Sequence, residues 1–337
     1  MNEPFYGNNI KIAVIGGGTG SFTLLSSLKE HTKLLAALVN MADDGGSTGM
    51  LRDELGALPP GDVRQCLVAL SSSPELRDLF NYRFEDGTLK GHAFGNLFLT
   101  ALEKMTGDFA KGIEVASEVL NITGTVEPIT LTNVTLAMRD KTGRETHGEY
   151  KIAQENFDGG CPEFWLEPKA EANPRALAAI ERADIVVVAP GNLYGSLAPA
   201  LIVPGIGEAL AATKAFKLYV CNLVTKPGQT DGFTVNDFAD EVERLAGTPF
   251  LDAVLYNTEK PSDDLLQKYA ADKEIAVEFD ADKSKAAHYE AAGANLLSSS
   301  IWQGSSADPI AASRTLIRHD PAAVAKAIID LYESRHD

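Results

Sequence analysis

A short apolar run, Ile12-Ala13-Val14-Ile15, ends in Gly16-Gly17-Gly18-Thr19-Gly20, and behind it Phe22, Leu24, Leu25 and Leu28 recur at helical spacing. A strand, a glycine turn and an amphipathic helix in that order constrain the fold more than anything else in this chain. They begin a βαβ unit, and the free N–H groups at the helix start face the place where an anion would bind. A second glycine turn, Asp43-Asp44-Gly45-Gly46-Ser47-Thr48-Gly49, follows the apolar stretch 34–41. A third polar turn, Pro59-Pro60-Gly61-Asp62-Val63-Arg64, opens a helix that aligns Val63, Leu67 and Leu70. Turns of this kind gathered on one sheet edge would form a phosphate-binding mouth.

Strands expected at 11–15 and 34–41 alternate with helices at 21–30, 96–105 and 109–121, which is βα order and hence a mainly parallel sheet. From Glu127 to Ala153 the pattern becomes Thr-rich and β-branched around Lys141-Thr142-Gly143, the signature of an antiparallel hairpin. Residues 156–175, with Gly159, Gly160, Pro162, Pro168 and Pro174, read as loop, and Asn173-Pro174 has the form of a helix cap followed by proline at the first helical position. The expected fold class is α/β, one domain over 10–330 with a β-hairpin and loop insertion at 127–172. The βα rhythm resumes with Ile185–Ala189 and the loop Pro190–Ser196, then 217–221 leading to Asn222–Thr230, then 251–256 leading to Asn257. A last helix begins at Asp320-Pro321. Open α/β sheets bind ligands at carboxyl strand ends near a reversal of strand order, so these loops are expected to share one crevice.

A formal charge of −17 opposes a sequence-independent grip on nucleic acid, which needs clustered Lys and Arg. It leaves room for a small phosphorylated ligand held by backbone amides and one or two local cations. Cys66, Cys161 and Cys221 are widely spaced, so neither a disulfide framework nor a cysteine zinc site is indicated. No apolar run approaches the ~20 residues of a membrane span, and residues 1–9 lack a basic leader, so a cytoplasmic location is expected.

The first loop has Ser21 or Thr23 where a dinucleotide fingerprint has its third glycine, and it lacks the P-loop lysine. Gly17, Gly18 and Thr19, with Gly191, Asn192, Tyr194 and Ser196, are the candidates for holding a diphosphate; Asn222 and Thr225 are the candidates for base or sugar. Asp43 and Asp44 are paired carboxylates beside a phosphate loop, a pattern for Mg²⁺ or a general base, although either could cap a turn instead. Asp62 reads as an N-cap, and Arg52 and Arg64 as phosphate partners or surface cations. In Gly91-His92-Ala93-Phe94-Gly95-Asn96, Asn96 is a cap or a ligand residue, and His92 a ligand residue or a satisfied loop residue. Gly45–Gly49 also fits G-x-S-x-G, the hydrolase nucleophile elbow, with Ser47 as nucleophile; among His92, His147, His288 and His319 no base is singled out.

Taken together, the motifs at 16–20, 42–49, 59–64 and 91–96, continued by Gly191–Ser196, Asn222–Gly232 and Arg318-His319-Asp320, resemble the bacterial gluconeogenesis factor (YvcK) family of the CofD-like superfamily. The resemblance implies a Rossmann-like three-layer αβα fold and binding of a nucleotide-sugar such as UDP-N-acetylglucosamine. It also implies a cytosolic role in cell shape and wall-precursor balance on gluconeogenic carbon sources, with no established turnover. A homo-oligomer is expected and a redox cofactor is not. In the transferase branch, phospholactate passes from a guanylyl-diphosphate donor to a deazaflavin hydroxyl with Mg²⁺. The two acids near the phosphates in that branch correspond to Asp44 and Asp62, the candidate catalytic or metal pair here.

Overall fold

The computed structural model describes residues 9–157, 160–298 and 317–335, so Gly159 of the expected loop lies outside the described residues. Strands β1 (Ile12–Gly16), β2 (Leu35–Val39), β3 (Thr125–Pro128), β7 (Ile185–Val188), β8 (Phe216–Val220), β9 (Ala253–Asn257) and β10 (Glu290–Ala294) form one sheet in the order β10-β9-β8-β7-β1-β2-β3. Every neighbouring pair in it is parallel. Strands β4 (Thr135–Arg139), β5 (Glu145–His147) and β6 (Glu163–Glu167) form a separate antiparallel sheet in the order β5-β4-β6.

Side chains alternate across the central strand, and each face has its own core. Ile12 and Val14 join the cluster filled by α1 (Gly18–Leu28), α3 (Gly61–Leu70), α6 (Phe109–Leu120) and helix Pro321–Glu333. Ala13 and Ile15 join the cluster filled by helices Pro174–Arg182, Ile206–Ala212 and Val235–Ala246. Helix, sheet and helix therefore stack as three layers. Leu24, Leu25 and Leu28 of α1 are fully buried, and burial of each side chain stabilises the docked helix by roughly 1.5–3 kcal/mol. That packing fixes where the glycine turn between β1 and α1 sits.

Several local expectations need correction. The second glycine turn runs into a helix not expected from the sequence, α2 (Gly46–Leu55), although Gly-Gly-Ser-Thr is a poor helix start by propensity. The stretch 156–175 is not all loop: β6 lies within it, because Phe164 and Leu166 find partners across the small sheet in Met138 and Leu136. The cap of α3 is Pro60 and Asp62 lies inside the first turn, while α5 (Phe94–Thr106) starts before Asn96, so neither residue caps its own helix. Asn173 does cap its helix, accepting from the Arg175 N–H at 3.0 Å, and Asp320 caps the last one, accepting from the Ala323 N–H at 2.8 Å. The helices α4 (Pro74–Asn81) and α7 (Glu149–Ile152) complete the elements used below.

Candidate functional site

The order in which the chain adds strands to the main sheet reverses at β1, whose two neighbours are β2 and β7. The crevice outside the carboxyl ends of β1 and β7 is therefore the position where such folds take ligands. The loops after these strands meet there with backbone against backbone: a Cβ on Gly20 would overlap the carbonyl of Pro190. The loop after β2 arrives beside them, with Asn40 Nδ2 donating to the Gly195 carbonyl at 3.4 Å. Thus Gly17, Gly18, Thr19, Asp43, Gly191 and Ser196 come to one end of the sheet, from segments far apart in the chain.

Four helix starts around this crevice lack a side-chain cap, as do those of Ile206–Ala212 and Asp263–Ala271 elsewhere, whereas the π-helical turn Leu193–Leu197 beside it is capped by Asn192. The caps of α1, α2, α3 and α5 are Gly17, Gly45, Pro60 and Ala93, and none provides a side-chain hydrogen bond. Helices α4, α6, Pro174–Arg182, Val235–Ala246 and Pro321–Glu333 are capped by Ser73, Asp108, Asn173, Thr234 and Asp320 through their side chains. An uncapped helix start leaves N–H groups and the positive end of the dipole available to an anion.

Acids line the crevice opposite those amides. Asp62 accepts from the Gly18 N–H and from Asn40, and a Cβ on Gly17 would overlap its carboxyl. Asp43 accepts from the Gly45 N–H at 3.0 Å and from Thr48. Gly61 is the only residue type that fits between them, since a Cβ there would stand 2.5 Å from both Asp43 Oδ2 and Thr48 Oγ1. Burial, then the charge of Asp43, pushes the Asp62 carboxyl up to about 7; burial also raises Asp43. Asp43 is thus the neighbouring acid whose charge acts on Asp62, while Asp44 acts on Asp43 and accepts from the Tyr150 N–H at 2.8 Å, which anchors the start of α7.

Glu149, which sequence reasoning missed, opens α7. A Cβ on Gly195 would overlap its Oε1, and burial followed by the charges of Asp43, Asp62 and Asp44 raises it to about 8, against the opposing pull of Lys226. Gln229 holds α7 from the other side, its Nε2 donating to the Ile152 carbonyl at 2.8 Å and to that of Glu155 at 3.1 Å. Only the glycine at 195 hinted at this approach, and a glycine names no partner.

Other expected ligand residues make contacts within the walls. Arg52 donates to the carbonyls of Asp43 (3.1 Å) and Val134 (2.9 Å) and to Asn133 Oδ1 (3.1 Å). Arg64 is buried, donating from Nε to Asn96 Oδ1 at 2.9 Å and from Nη1 to Asn81 Oδ1 at 2.5 Å. Asn96 Nδ2 in turn donates to Ser47 Oγ at 3.2 Å, and Ser47 Oγ lies 3.0 Å from His92 Nδ1, all in buried positions. Tyr194 packs in the core against Phe157 and Phe164, with ring centroids 4.9 and 5.1 Å away. Asn192 accepts from the Gly195 N–H at 3.2 Å and shapes the π-helical turn Leu193–Leu197. Thr225 is buried and paired with Ile275, donating from its N–H to that carbonyl at 2.7 Å and accepting from the Ile275 N–H at 3.1 Å.

Asn222 links the crevice to a second space. It donates to the Gly191 carbonyl at 2.7 Å and accepts from the Gly191 N–H at 3.3 Å. It also lines a cavity of about 490 Å³ at the carboxyl ends of β8 and β9, together with Tyr256, Asn257, Lys260, Ile275 and Val277. Among the described residues no three His, Cys, Asp or Glu side chains are grouped to hold a metal ion by themselves, and no single helix is long and apolar enough to cross a membrane.

Comparison with known proteins agrees with this architecture. Residues 12–297 match the family model described as 2-phospho-L-lactate transferase CofD. A putative gluconeogenesis factor of Clostridium acetobutylicum is 43 % identical over 263 residues, 77 % of this chain but 58 % of that protein's own length. The gluconeogenesis factor of Bacillus subtilis is 37 % identical over 328 residues, 96 % of this chain and 99 % of that one. A crystal structure of a UPF0052 family member from Bacillus halodurans superposes with a TM-score of 0.86 at 38 % identity, covering 95 % of this chain and all of the other. A three-layer sheet whose glycine loops meet at the reversal of strand order, with sequence matches over nearly its whole length, places this chain in the CofD family, among the gluconeogenesis factors.

Proposed function

We propose that this chain is a cytosolic factor of gluconeogenic growth that binds a nucleotide-sugar, with UDP-N-acetylglucosamine as the type of ligand, in the crevice between the loops after β1 and β7. In this reading ligand binding serves the balance of wall precursors and hence cell shape. The relatives carry the name gluconeogenesis factor, and the family model matched is that of an enzyme acting on a nucleotide-linked donor. The observation that carries the reading is the convergence of glycine turns at the reversal of strand order, where the helices after β1 and β2 start at Gly17 and Gly45 without a side-chain cap. A diphosphate supplies the missing acceptors.

Mg²⁺ suits the same place. Mg²⁺ is commonly held by one or two carboxylates and completed by phosphate oxygens and water, and Asp43 and Asp62 are oxygen donors that each become easier to ionise beside a cation. It would supply charge neutralisation between the acids and the diphosphate.

A second reading, a phospholactate-type transferase, is favoured by Asp62: a buried carboxyl raised to about 7 is matched to taking a proton from an acceptor hydroxyl near neutral pH. Titration calorimetry with UDP-N-acetylglucosamine, with and without Mg²⁺, tests the first reading. Binding without turnover supports it, together with a stabilisation of roughly 2–3 kcal/mol at ~100-fold excess over Kd. Consumption of a nucleoside-diphosphate-linked donor in the presence of an acceptor supports the second. No thermal shift with any UDP- or GDP-linked compound overturns both.

A further inference from the structure

Glu149 is set into the crevice by the small sheet and not by the main one: its helix follows β5 directly. Two contacts fix it. Asp44 accepts from Tyr150 N at 2.8 Å, and a Cβ on Gly148, whose φ is +103°, would stand 2.7 Å from Asp44 Oδ2. On the other side the carboxyl lies directly against Gly195 in the loop after β7. It thus spans from the loop after β2 to the loop after β7, across the crevice from the glycine turn of β1.

Asp43, Asp44 and Asp62 each accept hydrogen bonds from named donors, whereas among the described residues none donates to the Glu149 carboxyl. The partly exposed carboxyl offers up to four acceptor sites when ionised and fewer when protonated, and these are open to a ligand. A terminal phosphate above its second pKa of about 6 offers acceptors only, so it can use none of the acceptor sites of Glu149 and at most the O–H that the carboxyl keeps below its raised pKa. Hydroxyl and amide N–H groups can meet them, since both donate.

We propose that Glu149 is a ligand-contact residue that accepts hydrogen bonds from the hydroxyl and amide groups of the substituent esterified to the distal phosphate. The small sheet thereby selects sugar-linked nucleotides over bare nucleoside diphosphates. This inference rests on the nucleotide-sugar reading above and adds to it the residue that recognises the sugar end.

The test compares Kd for UDP and for UDP-N-acetylglucosamine, by calorimetry under identical Mg²⁺ conditions, in the wild type, Glu149→Ala and Glu149→Gln. The wild type is expected to prefer the sugar-linked ligand. Glu149→Ala is expected to reduce that preference by about tenfold while leaving UDP binding unchanged or tighter, and Glu149→Gln, which keeps one acceptor oxygen, to restore part of it. Retained UDP binding also reports that each variant is folded. Equal weakening of both ligands, or an unaltered preference in Glu149→Ala, overturns the inference and leaves the nucleotide-sugar reading intact. A wild type that binds neither ligand brings down that reading and this inference together.

Discussion

Gly20 and Pro190 touch through their backbones: the carbonyl of Pro190 occupies the space where any side chain on Gly20 would begin. The two residues end different strands' loops, 170 positions apart by number, and their contact closes the base of the crevice.

Gly20→Ala should therefore separate the two loops. Because the obstacle is backbone and not a flexible side chain, the expected loss is about 1–3 kcal/mol of stability together with loss of nucleotide-sugar binding. Denaturant melts and calorimetry on the same preparation check this; wild-type affinity in the variant would mean that the ligand sits elsewhere.

The raised acids make the unliganded protein more stable in mild acid than in mild base. Asp62 moves from 3.8 to about 7 and Glu149 from 4.5 to about 8, both chiefly through burial. The folded state holds these protons more tightly than the unfolded chain, so the stabilisation is complete below the ordinary carboxyl range and disappears as pH rises through 7 to 8. Scanning fluorimetry in chelator should show Tm falling by roughly 3 °C or more between mildly acidic and mildly basic buffer. The double variant Asp62→Asn, Glu149→Gln should show a smaller fall; an equal fall would remove these two groups as its source.

Ser47 sits 3.0 Å from an imidazole, yet the contact belongs to a buried network that runs from Arg64 through Asn96 to Ser47 and His92. Among the described residues no carboxylate hydrogen-bonds the other ring nitrogen of His92, so the third member of a catalytic triad is missing there. A fluorophosphonate probe is expected to leave Ser47 unlabelled, and Ser47→Ala to lose about 1–2 kcal/mol because the Asn96 amide keeps a donor without its acceptor. Covalent labelling at Ser47 would reinstate the hydrolase reading.

What could be read from the chain is what local chemistry dictates. The turn at 16–20, the cap at Asn173 and the final helix after Asp320 each depend on residues within a few positions of one another, and periodicity marks them. What could not be read depends on distant partners. Strand β6 is interrupted by prolines on both sides and is a strand because β4 is beside it; α2 begins at glycines and is held by Asp43 and by Arg52. Tyr194 looked like a loop residue facing a ligand, but the aromatic pair that buries it, Phe157 and Phe164, lies within a stretch read as loop. Arg52 and Arg64 carry the right chemistry for phosphate, and each also donates to amides or carbonyls on neighbouring segments that no local motif reveals. That the charge of Asp43 acts on Asp62, while Asp44 anchors α7, turns on how two adjacent carboxyls are placed, and adjacent residues are indistinguishable at the level of a motif.

The guanidinium of Arg52 grips the aspartate turn with one nitrogen and the stem of the small sheet with the other. These two parts are thereby one mechanical body, stiffened by a planar group whose geometry resists shear. The π-helical turn Leu193–Leu197 is tied to the same body, because the Glu149 carboxyl lies against Gly195 and Asn40 donates to the Gly195 carbonyl, so movement of that turn displaces an acid of the crevice.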